Sequence, residues 1–260
     1  MDKSVVLEKL LRQDRAIVVL GAAVISMLGW TYLFYEGWAM QHMDIVAMAM
    51  PSTGAWGLMD LLVVFAMWAV MMVAMMLPSA APMILAFLTL NHRRQTTARP
   101  LVPVVIFLFG YIAVWTGYSA VATLAQWWLH KTALLSPTMA ATSPVLSGGL
   151  LLAAGLFQWT PLKRACLKGC RSPLSFFMSE WRDGTVGAFV MGLRHGSYCL
   201  GCCWMLMALL FVAGVMNLFW VVVIALFVMA EKILVRGELL GRVTGVALVA
   251  AGIALMTRLW

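Results

Sequence analysis

Met191, His195, Cys199, Cys203 and Met207 follow one another at four-residue steps through an apolar segment, with Cys202 beside them. On an α-helix a step of four returns to the same face with a slow angular drift, so each side chain lies above the last. Thiolate, thioether and imidazole are ligands for soft or borderline metal ions: Cu(I) accepts all three, Zn(II) accepts thiolate and imidazole, and Mg(II) prefers none of them. Helical geometry also places Cys199 one turn from both Cys202 and Cys203, so three sulfurs can converge. Two of them would make a linear or bent Cu(I) site, and the third sulfur or His195 would make it trigonal. Three sulfurs with His195 would instead close a tetrahedral Zn(II) site. A single cysteine in an apolar helix is most often a small packing residue. Three within five positions, with Arg194 and His195 one turn earlier, form a rarer pattern.

Other candidate ligands lie elsewhere in the chain. The segment from Met59 to Met83 carries seven methionines, among which Met67, Met71 and Met75 repeat the four-residue step. Methionine is also a flexible filler of helix interfaces, so packing competes with ligation for this stripe. The total of 21 methionines in 260 residues is what favours ligation. Residues 36–57 hold Met40, His42, Met43, Asp44, Met48 and Met50 without Lys or Arg; His42 and Met43 could capture a cation there. Cys166 and Cys170 are one helical turn apart among Lys163, Arg164, Lys168 and Arg171, a positive field that favours thiolate. They would suit exchange with a soluble metal carrier.

What must position these groups is a set of helices in lipid. The chain is 63% hydrophobic and 11% charged, with mean hydropathy +0.95, far from the composition of a soluble domain. A membrane span needs about 20 apolar residues. Runs of that kind cover Ala16 to Tyr35, Leu58 to Leu90, Leu101 to Leu129, Thr185 to Met216 and Leu239 to Thr257, with shorter ones at Pro144 to Trp159 and Leu218 to Ala230. The expected fold is therefore all-α, a polytopic bundle of about seven spans, or six if a short run does not cross.

Seven spans with the N-terminus inside put Lys3, Lys9, Arg12, Arg15, Arg93, Arg94, Arg99, Lys163, Arg164, Lys168, Arg171, Arg182, Lys232, Arg236 and Arg242 on inside segments. Only Lys131 and Arg258 fall outside, and Arg194 falls within a span, as the positive-inside rule asks. The net charge of +8 is then topology, and nucleic acid is not called for. Residues 1–15 read as a cytoplasmic amphipathic segment. Residues 16–260 read as one transmembrane domain, with an outer Met/His loop at 36–57 and an inner Cys/basic loop at 161–184. The first run is too long, and too aromatic at its end, for a cleaved signal. Five cysteines, an odd number, do not suggest a disulfide framework.

Pro78 and Pro82 should kink or unwind the second span, with Ser79 placed to satisfy freed carbonyls. Gly192, Gly196 and Gly201 allow a neighbouring helix to come close. Arg194 needs a partner inside a membrane; the thiolates or Asp60 could serve. Glu231 and Lys232 read as a structural ion pair, and His92 and His130 as interfacial residues.

The segments MWAVMMVAMMLPSAAPM (Met67 to Met83), TPLKRACLKGCRSP (Thr160 to Pro173) and GCCWMLM (Gly201 to Met207), with the late Glu231-Lys232 pair, resemble a bacterial family. It is described as predicted metal-binding integral membrane proteins, a domain of unknown function. The resemblance covers most of the chain from the second span onward. It implies a bacterial inner-membrane location and metal binding at the matching Cys and Met positions.

The leading expectation is an integral membrane protein that handles Cu(I), by transport or delivery, through its Cys, Met and His side chains, with zinc as the alternative ion. Its partners would be the lipid bilayer and either a soluble metal carrier or a larger membrane complex. No nucleotide-binding loop is present, so ATP could not power transport within this chain, and no catalytic ordering of Ser, His and Asp points to an enzyme. Two other classes compete. A thiol-disulfide relay would exchange electrons between Cys199 with Cys202 or Cys203 and the pair Cys166 and Cys170. A structural accessory subunit would pack through its Met-rich and Gly-rich faces.

Overall fold

Every apolar run that marks a span in the sequence is helical over most of its length. The structure, a computed structural model, describes residues 3–41, 56–94, 101–135 and 140–257. Ten helices follow in order among them: α1 (Lys3–Gln41), α2 (Leu58–Arg94), α3 (Leu101–Lys131), α4 (Pro144–Phe157), α5 (Pro161–Arg171), α6 (Pro173–Glu180), α7 (Gly184–Ala208), α8 (Leu210–Ala213), α9 (Leu218–Ile233) and α10 (Gly237–Thr257). No named strand occurs among the described residues; Leu135 and Ala141 form one isolated bridge.

Five stretches are long and apolar enough to cross a membrane: Leu11–Ala39, Leu58–Arg94, Leu101–Lys131, Gly184–Ala213 and Gly237–Thr257. Helices α4 and α5 reach that standard together as a pair bent by 64°, which makes six. The run expected as a further span is helix α9, which at 16 residues is shorter than the roughly 20 that a straight crossing needs.

Helix α1 runs without interruption from Lys3 to Gln41, so the N-terminal segment and the first apolar run share one helix. Helix α2 does not unwind at Pro78 and Pro82, and Ser79 Oγ donates to the Met76 carbonyl at 2.8 Å, as expected of it. The stretch 161–184, read as a polar loop, is mostly helix. Pro161 and Pro173 occupy the first turns of α5 and α6, where a missing N–H costs nothing, and Thr160 caps α5 through the Lys163 amide at 3.2 Å.

Helices α3 and α7 make the most intimate contact of the fold, and glycine permits it. A Cβ on Gly192 would fall on the Phe107 carbonyl, and one on Gly196 would lie 2.9 Å from Val114 Cγ2. The backbones meet where side chains would otherwise hold them apart. Gly192→Val is therefore expected to destabilise the detergent-solubilised protein by about 3 kcal/mol, the upper end for overpacking, read as a lower thermal unfolding midpoint. An unchanged midpoint would mean that the two helices are not in this register. On the other side of the bundle α4 and α10 pack in the same way, with Gly155 against the Gly245 carbonyl.

The interior enclosed by these helices is rich in sulfur. Met67, Met71, Met72, Met75, Met76 and Met83 of α2, and Met191, Cys199, Cys202, Cys203 and Met207 of α7, belong to one continuous buried core with Trp68, Phe107, Tyr111 and Trp115.

Candidate metal centre

The four-residue ladder on α7 faces inward along its whole length, since Met191, His195, Cys199, Cys203 and Met207 are all buried. Its centre is Cys199. The Cys199 sulfur lies 3.0 Å from Lys232 Nζ of α9 and 3.1 Å from the Tyr111 hydroxyl of α3. Tyr111 also reaches the Met76 carbonyl of α2 at 3.2 Å. Lys232 Nζ donates to Ser79 Oγ of α2 at 2.8 Å. Helices α3, α7 and α9 thus meet at one sulfur, and α2 holds the two groups that touch it.

A fifth helix brings more sulfur. The Cys170 thiol of α5 lies beside the thiols of both Cys199 and Cys202. Cys166, one turn earlier, packs so closely over Gly201 that a Cβ there would lie 2.6 Å from its Sγ. Gly201 is therefore the gap through which α5 approaches α7. All five cysteines are free and belong to one region of the protein. The sequence suggested two separate stations, an embedded cluster and an inner loop pair; the α5 helix that replaces the loop merges them.

The thiols are not arranged around a common point. Cys202 Sγ and Cys203 Sγ each donate to the Cys199 carbonyl, at 3.1 and 2.9 Å, as cysteines facing their own helix do. Among the described residues no group of three or more His, Cys, Asp or Glu side chains stands ready to hold a metal. A closed tetrahedral arrangement of Cys199, Cys202, Cys203 and His195 is accordingly not what the helix makes. The donor set fits a softer and lower demand, because Cu(I) accepts thiolates alone and Zn(II) seeks four ligands.

His195 is the orphan of the site. It is 1% exposed, both ring nitrogens lack a hydrogen-bond partner, and the ring stacks on Tyr111 and Phe107 with centroids 5.4 and 6.1 Å apart. Buried imidazoles are ordinarily satisfied. Here both nitrogens are left bare a single turn from Cys199.

Several sequence readings find different partners. Glu231 and Lys232 do not pair, because adjacent helical positions point about 100° apart. Glu231 instead receives Lys163 Nζ on both carboxylate oxygens at 2.8 Å, with both side chains 3% exposed, and Gln158 joins them through the same ammonium. Arg194 pairs with Glu180 of α6, not with the thiols or Asp60, and is 44% exposed; it points away from the face that His195 and Cys199 occupy. Asp60 accepts the Gly57 amide at 2.8 Å. His92 Nε2 meets Asp14 Oδ2 at 2.8 Å, and the His130 ring packs at a tilt against Trp56.

Met67, Met71 and Met75 are buried and form an α2 ladder whose next four-residue step is Ser79, the residue that touches Lys232. The two ladders therefore meet through one ammonium. His42 and Met43 lie outside the described residues. Sequence reasoning passed over Lys232 and Tyr111 as members of the site. A lysine inside an apolar run was the available signal for the first, while Tyr111 gave none. The signal for Ser79 was its place in the methionine step.

A family model described as PpoB2, copper chaperone, matches residues 65–255, which takes in every residue named in this centre. No curated protein and no solved structure matches the chain.

Proposed function

We propose, from the premise that the chain belongs to the PpoB2 copper chaperone family, that it is a membrane-embedded protein that holds and hands over Cu(I) on cysteine thiolates contributed by α5 and α7. The observation that carries this reading is the meeting of Cys170 with Cys199 and Cys202. Two thiols from different helices can clasp a two-coordinate ion, and the others stand within reach as incoming ligands. Cu(I) then moves by exchange, a third thiolate joining before the first one leaves. Each thiol that binds gives up its proton, and regains one when the ion departs. Met191 and His195 on one side of Cys199, and Met207 on the other, supply weaker, uncharged holding points along the α7 ladder. Met67, Met71 and Met75 do so along α2.

The membrane part of the proposal is supported by uncovered apolar surface. In the most apolar windows of the first and last span-length helices only 17% of residues are buried, and Leu20, Leu28, Val243 and Val246 are each at least 60% exposed. Such faces need lipid. A bacterial inner membrane with the N-terminus inside is the location we assign, with a soluble carrier or a larger membrane complex as the exchange partner.

Metal content tests the reading. Protein purified anaerobically, reduced and without chelator should carry close to one copper per chain by mass spectrometry, and a Cys199→Ser, Cys202→Ser double variant should carry almost none. No copper in the wild type after added Cu(I), with the fold intact, would overturn it. The proximity of Cys170 to Cys199 and Cys202 also favours a second reading, the thiol-disulfide relay. Thiol trapping separates the two, because a relay would accumulate an α5–α7 disulfide on oxidation and bind no metal.

A further inference from the structure

Lys232 is 7% exposed, and its ammonium rests on two groups, Ser79 Oγ at 2.8 Å and Cys199 Sγ at 3.0 Å. A buried ammonium is costly unless an anion offsets it. Its chain neighbour Glu231 is committed to Lys163, and among the described residues no salt bridge joins Lys232 to a carboxylate. The negative charge it needs can come from the sulfur beside it.

We infer that Lys232 is the charge-matching residue of the centre, and that it makes the site take a monovalent soft cation, Cu(I) or Ag(I), on two thiolates in preference to a divalent one. This rests on the copper-binding reading above and names the class of ion that the site accepts. Two thiols that each release a proton and share a monovalent ion form a complex of charge −1, and the ammonium brings the buried ensemble to zero. A divalent ion on the same two thiolates forms a neutral complex and leaves the ammonium uncompensated. To recover balance it would need a third thiolate as a resident ligand, and among the described residues no group of three such side chains stands ready; in the exchange of Cu(I) a third thiol joins only in passing. Ser79 holds the ammonium over Cys199 from the opposite side, so the charge stays in place whether or not an ion is bound. Lys232 is a positioning residue in this account, because it touches a ligand and never the ion.

The test is competitive titration of the full chain in detergent with Cu(I), Ag(I) and Zn(II), comparing wild type with Lys232→Met and Lys232→Arg. Loss of a buried charge partner is expected to weaken Cu(I) and Ag(I) binding by about a hundredfold and to weaken Zn(II) binding far less, so the Cu(I)-to-Zn(II) affinity ratio falls. Lys232→Arg, which keeps the charge, should restore most of that ratio. A merely structural lysine would weaken all three ions together, and an unchanged ratio in Lys232→Met would overturn the inference. Should Lys232→Met not fold, Ser79→Ala carries the test: the ratio is expected to fall about threefold as the ammonium loses its tether, and no change would overturn the inference. Wild-type protein that binds no Cu(I) would instead remove the proposed function itself, so the two failures are distinct.

Discussion

Replacing Lys163 with methionine is expected to destabilise the fold by about 3–5 kcal/mol, the range for leaving one member of a buried ion pair uncompensated. The pair joins α5 to α9 with both side chains 3% exposed, and both Glu231 oxygens are held at 2.8 Å. Helix α10 lies directly over it, because Gly241 carries no side chain that would displace the Glu231 carboxylate. Removing the ammonium leaves a carboxylate with no water to turn to. The double variant Lys163→Met, Glu231→Met should recover most of the loss, since an apolar pair of similar volume is often as stable as a buried ionic one. The double-mutant cycle, measured by chemical or thermal unfolding, should show strong coupling; additive losses would mean that these side chains do not meet. Copper capacity should fall along with stability in the single variant. Glu231 and Lys232 are adjacent on α9, so an unanchored Glu231 also displaces the ammonium that rests on Cys199.

The second large effect concerns Cys170. It lies 29 positions before Cys199 in the sequence and was read there as a thiol of the inner loop, apart from the embedded cluster. Its place beside Cys199 and Cys202 makes it a ligand of equal rank in the proposed centre. Loss of an outer partner alone typically costs a metal site tenfold to a hundredfold. Cys170→Ser is therefore expected to weaken Cu(I) binding by more than about a hundredfold, about as much as Cys199→Ser does. Competition against a chromophoric Cu(I) chelator would measure both. Retention of wild-type affinity in Cys170→Ser, with loss in Cys199→Ser, would confine the site to α7 and break the link between helices.

The helices themselves were legible in the sequence, because apolar runs of span length have one backbone solution in lipid. The ladder on α7 was legible for the same kind of reason: a four-residue step fixes a face, and that face is buried. Gly192, Gly196 and Gly201 announced close approach, and the structure supplies the partners, α3 for the first two and α5 for the third. What the sequence could not give was who stands opposite whom. Period and spacing describe one helix at a time, so the convergence of Cys170 on Cys199, the bridge from Ser79 to Lys232, and the partners of Glu231 and Arg194 all depend on tertiary packing. The polar composition of 161–184 suggested a loop because its basic residues hid two short helices, each opened by a proline. Lys232 and Glu231 were adjacent charges in an apolar run, and adjacency on a helix separates side chains instead of pairing them.

Central to the account is a copper ion held by sulfur alone between α5 and α7. X-ray absorption at the copper edge, on anaerobic protein loaded with one equivalent of Cu(I), reads this directly. The spectrum is predicted to show Cu(I) with a first shell of two sulfur scatterers and no nitrogen or oxygen. A first shell dominated by light atoms, or copper that washes off the folded wild-type protein, would contradict it.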